Sequence, residues 1–229
     1  MTKNCKVLIF AAGRGERLRP LTDATPKPLL RMGGKRLIEY QLEALSCAGF
    51  AHVVINTAWL GAQFEPALGD GANYGLAIAY SHEGDALETL GGIVKAAPML
   101  GLEPFITTSA DVYTDFDYGK LIPVLARIAR GEVDAHFVLT NNPPFHAEGD
   151  FAIQQGLASR TGLRLNYSGI ACWHPKLFAG FVAGEKKKLF PWANALVDAG
   201  RVSAEHHAGL WENIGTPQQM DALSRKIRA

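Results

Sequence analysis

Between Lys6 and Thr140, short apolar runs alternate with stretches of helical periodicity. This alternation constrains the fold of the 229-residue chain more than any other feature. Lys6–Ala12, His52–Asn56, Leu76–Tyr80, Pro104–Thr108 and Asp134–Thr140 read as strands. Between them, Arg36–Ala48 brings Leu37, Ile38, Leu42 and Leu45 onto one helical face and stops at Gly49. Leu60–Leu68, Leu87–Ala97 (ended by Pro98) and Phe116–Arg130 read as the other helices. Strand and helix in strict turn predict an α/β fold: three layers, doubly wound, with a mostly parallel sheet and right-handed crossovers. Such a sheet is covered on both faces, and an apolar content of 48% is enough to cover it.

From Asn141 the rhythm changes. Asn141–Gly149, rich in Asn, Pro and Gly, reads as a loop. Phe151–Ile153 and Arg164–Trp173 read as strands, Lys187–Ala199 and Pro217–Ile227 as helices. A single domain spanning 1–229 is expected, with one part at 1–140 and a second at 141–229.

Lys and Arg number 23 against 22 for Asp and Glu, a net charge of +1, which excludes the strongly basic surface of a general nucleic-acid binder. No run approaches the ~18 apolar residues of a membrane span. Met1–Lys6 is polar and Val7–Ala12 too short for a secretory core. These features predict a soluble, cytoplasmic monomer without nucleic-acid or membrane partners. Cys5, Cys47 and Cys172 form no C-x-x-C pair and read as reduced, buried thiols. The histidines form no set with metal-ligand spacing.

The first strand runs directly into Ala11-Ala12-Gly13-Arg14-Gly15-Glu16-Arg17-Leu18-Arg19-Pro20, followed by Thr25-Pro26-Lys27-Pro28-Leu29. Ligands of open α/β sheets sit at the carboxyl ends of strands. Glycines let backbone N–H groups turn toward an anion. Arg14, Arg17, Arg19 and Lys27 in one short segment repel each other unless they are solvated or face an anion. On these residues alone the two readings stand even. A dinucleotide fingerprint fails for want of its third glycine, and Gly33-Gly34-Lys35-Arg36 does not supply a P-loop.

A second apolar strand, from Phe105, ends in Ala110-Asp111, which puts a carboxylate at the same sheet edge. Mg²⁺ takes one or two carboxylates together with substrate phosphates, so Asp111 is a candidate ligand. A helix-capping Asp is the other reading, and Asp115 and Asp117 are better placed for that. Glu83-Gly84-Asp85-Ala86-Leu87-Glu88-Thr89-Leu90-Gly91-Gly92 opens a helix, where acidic residues favour the dipole. Trp211-Glu212-Asn213-Ile214-Gly215-Thr216 leads into Pro217, a good helix start.

In order and spacing these segments resemble the sugar-1-phosphate nucleotidyltransferase family. Its signature is a strand followed by A/G-A/G-G-x-G-x-R-L-x-P-x-T and P-K-P/Q-L, a later G-D-x, and a late W-x-D-V/I-G-T. The resemblance implies a Mg²⁺-dependent enzyme that joins a nucleoside triphosphate to a sugar 1-phosphate and releases pyrophosphate. It implies that Ala11, Ala12, Gly13, Arg14 and Gly15 bind the nucleotide, with Glu83 and Glu88 near the base. Arg17, Lys27 and Asp111 would be catalytic, and Asp111 and Asn213 would hold the metal. Ala110 stands where Gly is usual, and Asn213 where Asp is common. Residues 1–140 would then bind nucleotide and 141–229 the sugar, with Asn142, Asp150 and Gly169 as sugar contacts. The family's frequent E-K-P motif is missing between Gly149 and Trp173. Ile55–Gly61, Leu87–Gly92, Gly149-Asp150-Phe151 and Ser168-Gly169-Ile170 resemble a bacterial subgroup that uses UTP and a sugar bearing a lactyl ether. A hexose 1-phosphate with UTP, dTTP or GTP, a non-catalytic nucleotide-sugar sensor, and a nicotinamide dehydrogenase are the rivals.

Overall fold

The structure is a computed structural model that describes residues 5–228. The chain runs β1 (Lys6–Phe10), α1 (Leu21–Ala24), β2 (Arg31–Met32), β3 (Lys35–Arg36), α2 (Leu37–Cys47), β4 (His52–Thr57), α3 (Phe64–Leu68), β5 (Ala77–His82) and α4 (Glu88–Leu100). It continues through β6 (Phe105–Ser109), β7 (Val112–Thr114), α5 (Leu121–Ala129), β8 (Ala135–Thr140), β9 (Ala152–Gln154), β10 (Leu157–Ser159) and β11 (Asn166–Trp173). It closes with α6 (Trp192–Asp198), β12 (Val202–His207), β13 (Trp211–Asn213) and α7 (Pro217–Arg228).

A nine-stranded sheet carries the order β5-β4-β1-β6-β11-β8-β12-β10-β9. β5, β4, β1 and β6 pair in parallel, as do β8 and β12. β11 lies antiparallel between β6 and β8, and β10 antiparallel between β12 and β9, so these two run against the other strands. Strand periodicity divides the core into two layers. Val7, Ile9, Val53 and Ile55 point to one face and pack with Ile38, Leu42 and Leu45 of α2, Phe64 of α3 and Leu121 and Ile128 of α5. Leu8 and Val54 point to the other and pack with Leu90 and Ile93 of α4, Ala193 and Val197 of α6, and Phe137 and Trp173. Each fully buried Leu, Ile or Phe contributes about 1.5–3 kcal/mol, so helices on both faces are held by the same force. The α/β class and the layered sheet are as expected.

Several boundaries differ from the sequence reading, some for local and some for tertiary reasons. α4 passes through Pro98 to Leu100 and ends at Gly101, whose φ is +85°. Pro98 forfeits the bond an N–H there would make to the Val94 carbonyl, and the helix ends three residues on. α5 begins later than expected, because Asp117 caps a short turn at Tyr118–Lys120, accepting from Gly119 N–H at 2.8 Å. The helix expected from Lys187 forms only from Trp192. Before it, Lys187 N–H donates to the Leu87 carbonyl (2.9 Å) and the Lys187 carbonyl accepts from Gly91 N–H (3.1 Å). β2, β3, β7, β10, β12 and β13 are strands the sequence reading did not contain. Cys5 and Cys172 are buried as expected, and burial pushes the Cys5 thiol up to about 12. Cys47, in the last turn of α2, is exposed instead. No described helix is long and apolar enough to cross a membrane.

Candidate active site

The carboxyl ends of β1, β4 and β6 and the start of α4 surround two adjoining cavities of about 670 and 620 Å³. Phe10, Glu88, Thr89 and Ser109 line both. Ala11, Ala12, Gly13, Gly15, Arg17, Lys27, Glu83 and Asp111 line the first; Asp150, Gly169 and Asn213 line the second.

The loop after β1 is held from below. Thr22 Oγ1 donates to the Gly15 carbonyl at 3.0 Å. Gly15 has φ +67°, and a Cβ there would lie 3.0 Å from the Lys27 Cβ and from Thr22 Cγ2. Glycine therefore serves both the left-handed turn and the close passage of the Lys27 stem. Lys27 is 7% exposed, and its Nζ lies 2.7 Å from Asp111 Oδ2. A buried ammonium requires such a partner. Gly215, in the last motif, is equally constrained: a Cβ there would lie 2.8 Å from Arg17 Nη2. The late glycine thus leaves room for the Arg17 guanidinium at the cavity wall.

The other two cations of the loop do not face the cavity. The Arg14 guanidinium lies 4.3 Å over the Trp59 ring, a cation–π contact, and Arg14 is absent from the cavity lining. Arg19 pairs with Asp23 at 2.7 Å on the surface. The loop meets its like-charge problem by dispersal, leaving Arg17 and Lys27 at the cavity.

Asn56, at the end of β4, organises the far wall. Its Oδ1 accepts from Ala11 N–H (2.7 Å), and its Nδ2 donates to Glu83 Oε1 (2.6 Å). Glu83 Oε2 accepts from Leu87 N–H at 2.8 Å. Burial pushes the Glu83 carboxyl above its usual range, while the hydrogen bonds from Leu87 and Asn56 oppose the shift. A Cβ on Gly92 would lie 2.7 Å from both Asn56 Nδ2 and Glu83 Oε1, so this glycine lets the pair rest against α4. Glu88, at φ +63°, is exposed where the two cavities meet. Asn56 was missed in the sequence reading; its signal is a polar residue closing an otherwise apolar strand.

β13 pairs antiparallel with β7, setting Asn213 opposite Val112, and Ile214 N–H donates to the Asp111 carbonyl at 2.9 Å. Asn213 is thereby carried next to Asp111 across a sequence gap of about a hundred residues. Asn213 Oδ1 is buried without a hydrogen-bond partner among the described residues. Leaving such an oxygen unpaired costs about 1–3 kcal/mol. Glu212 points away and pairs with Lys226 at 3.0 Å, as strand alternation requires. No group of three or more His, Cys, Asp or Glu capable of holding a metal occurs among the described residues. Ala110 is fully buried, its N–H donating to the Phe10 carbonyl at 3.0 Å, so a methyl group is accommodated beside Asp111.

In the second cavity, Gly169 (φ +84°) sits in a β-bulge of β11 between Tyr167 and Ile170, and a Cβ there would lie 2.9 Å from Ser109 Oγ. Asp150 accepts from Tyr167 N–H (2.7 Å) and meets His146 Nε2 at 3.0 Å. Asn142 does not line the cavity. Its Nδ2 donates to the Ala147 and Arg164 carbonyls (2.8 and 3.0 Å), tying down the loop after β8. The Asn142 Oδ1 is buried without a hydrogen-bond partner among the described residues. Lys186 lines the first cavity, and Lys188 and Trp211 the second. The helix expected over Lys187–Ala199 would have turned Lys188 to solvent along one helical face; the irregular backbone before Trp192 places it at the cavity instead.

A loop that presents two cations, a carboxylate paired with one of them and a buried amide oxygen is suited to phosphate chemistry with a hard cation. The nucleotidyl transferase family model matches residues 6–147, and the chain belongs to this family, among its sugar-1-phosphate nucleotidyltransferases. The chain is 45% identical over 92% of its length to the N-acetylmuramate alpha-1-phosphate uridylyltransferase of Neisseria meningitidis serogroup B, covering 93% of that protein. It is 32% identical over 96% of its length to the Caulobacter vibrioides protein of the same name, covering 96% of it. Among solved structures, HddC from Yersinia pseudotuberculosis, complexed with GMP-PN, superposes with a TM-score of 0.80 over 97% of this chain and 99% of that one, at 19% identity. That likeness establishes the shared fold.

Proposed function

We propose that the chain transfers a uridylyl group from UTP to N-acetylmuramic acid α-1-phosphate, giving the UDP-sugar and pyrophosphate, as a cytoplasmic step of peptidoglycan recycling. The observation that carries the chemistry is the Asp111–Asn213 juxtaposition, with Asp111 in the first cavity, Asn213 in the second and Lys27 on Asp111. Identity to the muramate enzymes across both parts of the chain supports the substrates.

In this reading residues 1–140 hold the nucleotide and 141–229 the sugar, with Asn213 returning to the junction. Ala11, Ala12, Gly13 and Gly15 cradle the triphosphate, and Glu83 and Asn56 frame the base. A sugar-phosphate oxygen attacks the α-phosphorus in line. The new P–O bond forms as the bond from the α-phosphorus to the bridging oxygen breaks, and pyrophosphate leaves with that electron pair. The attacking phosphate is already ionised near neutral pH, so no general base is needed. Lys27 and Arg17 neutralise charge on the transferred group and the pyrophosphate; positioning and charge supply most of the catalysis. The donor set fits Mg²⁺: a carboxylate and an otherwise unpartnered amide oxygen, both hard ligands, leave the remaining positions to phosphates and water. When bound, the ion adds positive charge at the phosphates.

A matrix of nucleoside triphosphates against sugar 1-phosphates, read by pyrophosphate release with Mg²⁺, tests the proposal. The expected product forms from UTP and N-acetylmuramic acid 1-phosphate. Reaction only with hexose phosphates lacking the lactyl ether sinks the sugar assignment, and reaction only with dTTP or GTP sinks the base. Nucleotide-sugar binding without turnover with any pair would favour a sensor.

A further inference from the structure

The run Lys186-Lys187-Lys188 has no part in the chemistry above. Its place is set by the start of α4, through the two backbone hydrogen bonds that join Lys187 to Leu87 and Gly91. A Cβ on Gly91 would collide with the Glu185 carbonyl, so only glycine lets the segment lie so close. The Lys187 ammonium rests 4.8 Å over the Phe181 ring. Its neighbours reach the cavities: Lys186 lines the first and Lys188 the second.

Lys27, Lys35, Lys176 and Lys226 each have a carboxylate within ion-pair distance. Among the described residues, Lys186 and Lys188 have none. On the sugar side the basic side chains are Lys188 and His146, and His146 is already engaged by Asp150. The two carboxylates of this cavity are Asp150, which pairs with His146, and Glu88, and among the described residues neither lies within ion-pair distance of Lys188. The aromatic walls there, Tyr167, Phe190 and Trp211, carry no cation, and the Trp211 indole N–H is already spent on the Ser168 carbonyl at 2.9 Å. Lys188 is therefore an uncommitted cation in the cavity.

We propose that Lys188 is a specificity-determining residue whose ammonium pairs with a carboxylate carried by the sugar, away from its anomeric phosphate. The proposal rests on the N-acetylmuramic acid reading, in which the lactyl ether supplies that carboxylate. The anomeric phosphate belongs at the junction with Asp111 and Asn213, and the lactyl group extends from the pyranose into the second cavity. A carboxylate entering an aromatic-lined cavity loses water and needs a charged partner. A neutral sugar leaves Lys188 in solvent at little cost, so the selection acts by favouring the acid rather than by rejecting the neutral compound.

Pyrophosphate release by the full chain, with UTP and either N-acetylmuramic acid 1-phosphate or its lactyl amide, tests this. The amide keeps the shape and removes the charge. Lys188→Met keeps the stem, and because Lys188 is exposed the fold is retained. With this variant, kcat/KM for the acid falls about five- to tenfold, mainly through KM, while the amide is unaffected; Lys188→Arg restores the preference. An equal fall for both substrates would put Lys188 on the phosphate and overturn the proposal, as would no change in either. A wild-type enzyme that uses acid and amide equally overturns the carboxylate contact and leaves the sugar assignment standing. One that uses neither overturns that assignment and this proposal together.

Discussion

The two cavities share one edge of the sheet but are built by different means. The first takes its loop, Lys27 and Asp111 from the ends of the parallel strands β1 and β6, and its side chains bond to one another: Lys27 to Asp111, Asn56 to Glu83. The second takes Gly169 from a bulge in an antiparallel strand, Asp150 from a loop, Lys188 from an irregular segment and Asn213 from a short ribbon, each held largely by backbone hydrogen bonds. Parallel strands deliver their next residues to one edge as a matter of topology, so most of the phosphate side sits in short motifs that follow β1, β4 and β6. The sugar side is assembled from distant pieces, each of which can change without disturbing the phosphate chemistry.

The largest effect should come from the first half. Lys27→Met should lower kcat about a thousandfold with circular dichroism unchanged, because Asp111 keeps enough exposure to be hydrated once its partner is gone. Activity near normal would break the assignment of this half. At the junction, Asp111→Asn should cost about a hundredfold in kcat. Asn213→Asp should act in the opposite sense on the metal, lowering the Mg²⁺ concentration for half-maximal activity about tenfold in a magnesium titration.

Gly169→Ala should sharpen the distinction between the halves. Its left-handed backbone and the nearby Ser109 Oγ predict a loss of about 1–2 kcal/mol in urea unfolding, with the KM for sugar phosphate raised several-fold and that for UTP unchanged. Outside both cavities, hydrogen bonds from Arg201 and Lys176 hold the Asp134 carboxyl down to about 2, from an ordinary 3.8. A depressed carboxylate contributes stability fully present above its unfolded value and lost as pH falls through its folded one. That contribution should therefore fade between about pH 4 and pH 2 in thermal melts. Asp134→Asn should lower Tm at pH 7 by about 2–4 °C without altering kcat. The smallest effect is expected at Arg14, which the fold turns onto Trp59: Arg14→Ala should change the KM for UTP by no more than about twofold.

The α/β class, both layers of the core and most of the phosphate side were legible because each depends on local pattern. Alternation set the strand faces, Gly13, Gly15, Arg17 and Asp111 follow directly on strand ends, and Lys27 comes from a turn later in the same connection. A cation in a motif carries no sign of which way it points, and an indole from the next βα connection set the direction of Arg14. A loop asparagine satisfies backbone carbonyls as readily as a ligand, and the Asn142 amide nitrogen does so at Ala147 and Arg164. Lys188 lies in a run that also suits a helix, and the hydrogen bonds of Lys187 to α4 settled the conformation of that run.

Order along the chain, residue type and period were enough to establish a layered α/β protein with an anion-binding loop and a carboxylate at one sheet edge. They follow from short-range sterics and from which faces must leave water. Tertiary structure alone set β11 against its neighbours, brought β13 to β7 so that Asn213 meets Asp111, and dispersed the loop's cations. The cations are dispersed by side-chain contacts, Arg14 with Trp59 and Arg19 with Asp23; the strand pairings depend on backbone groups of segments distant in sequence, and backbone N–H and C=O groups are the same in every residue but proline. The side chains therefore carry little record of which strand will lie beside which.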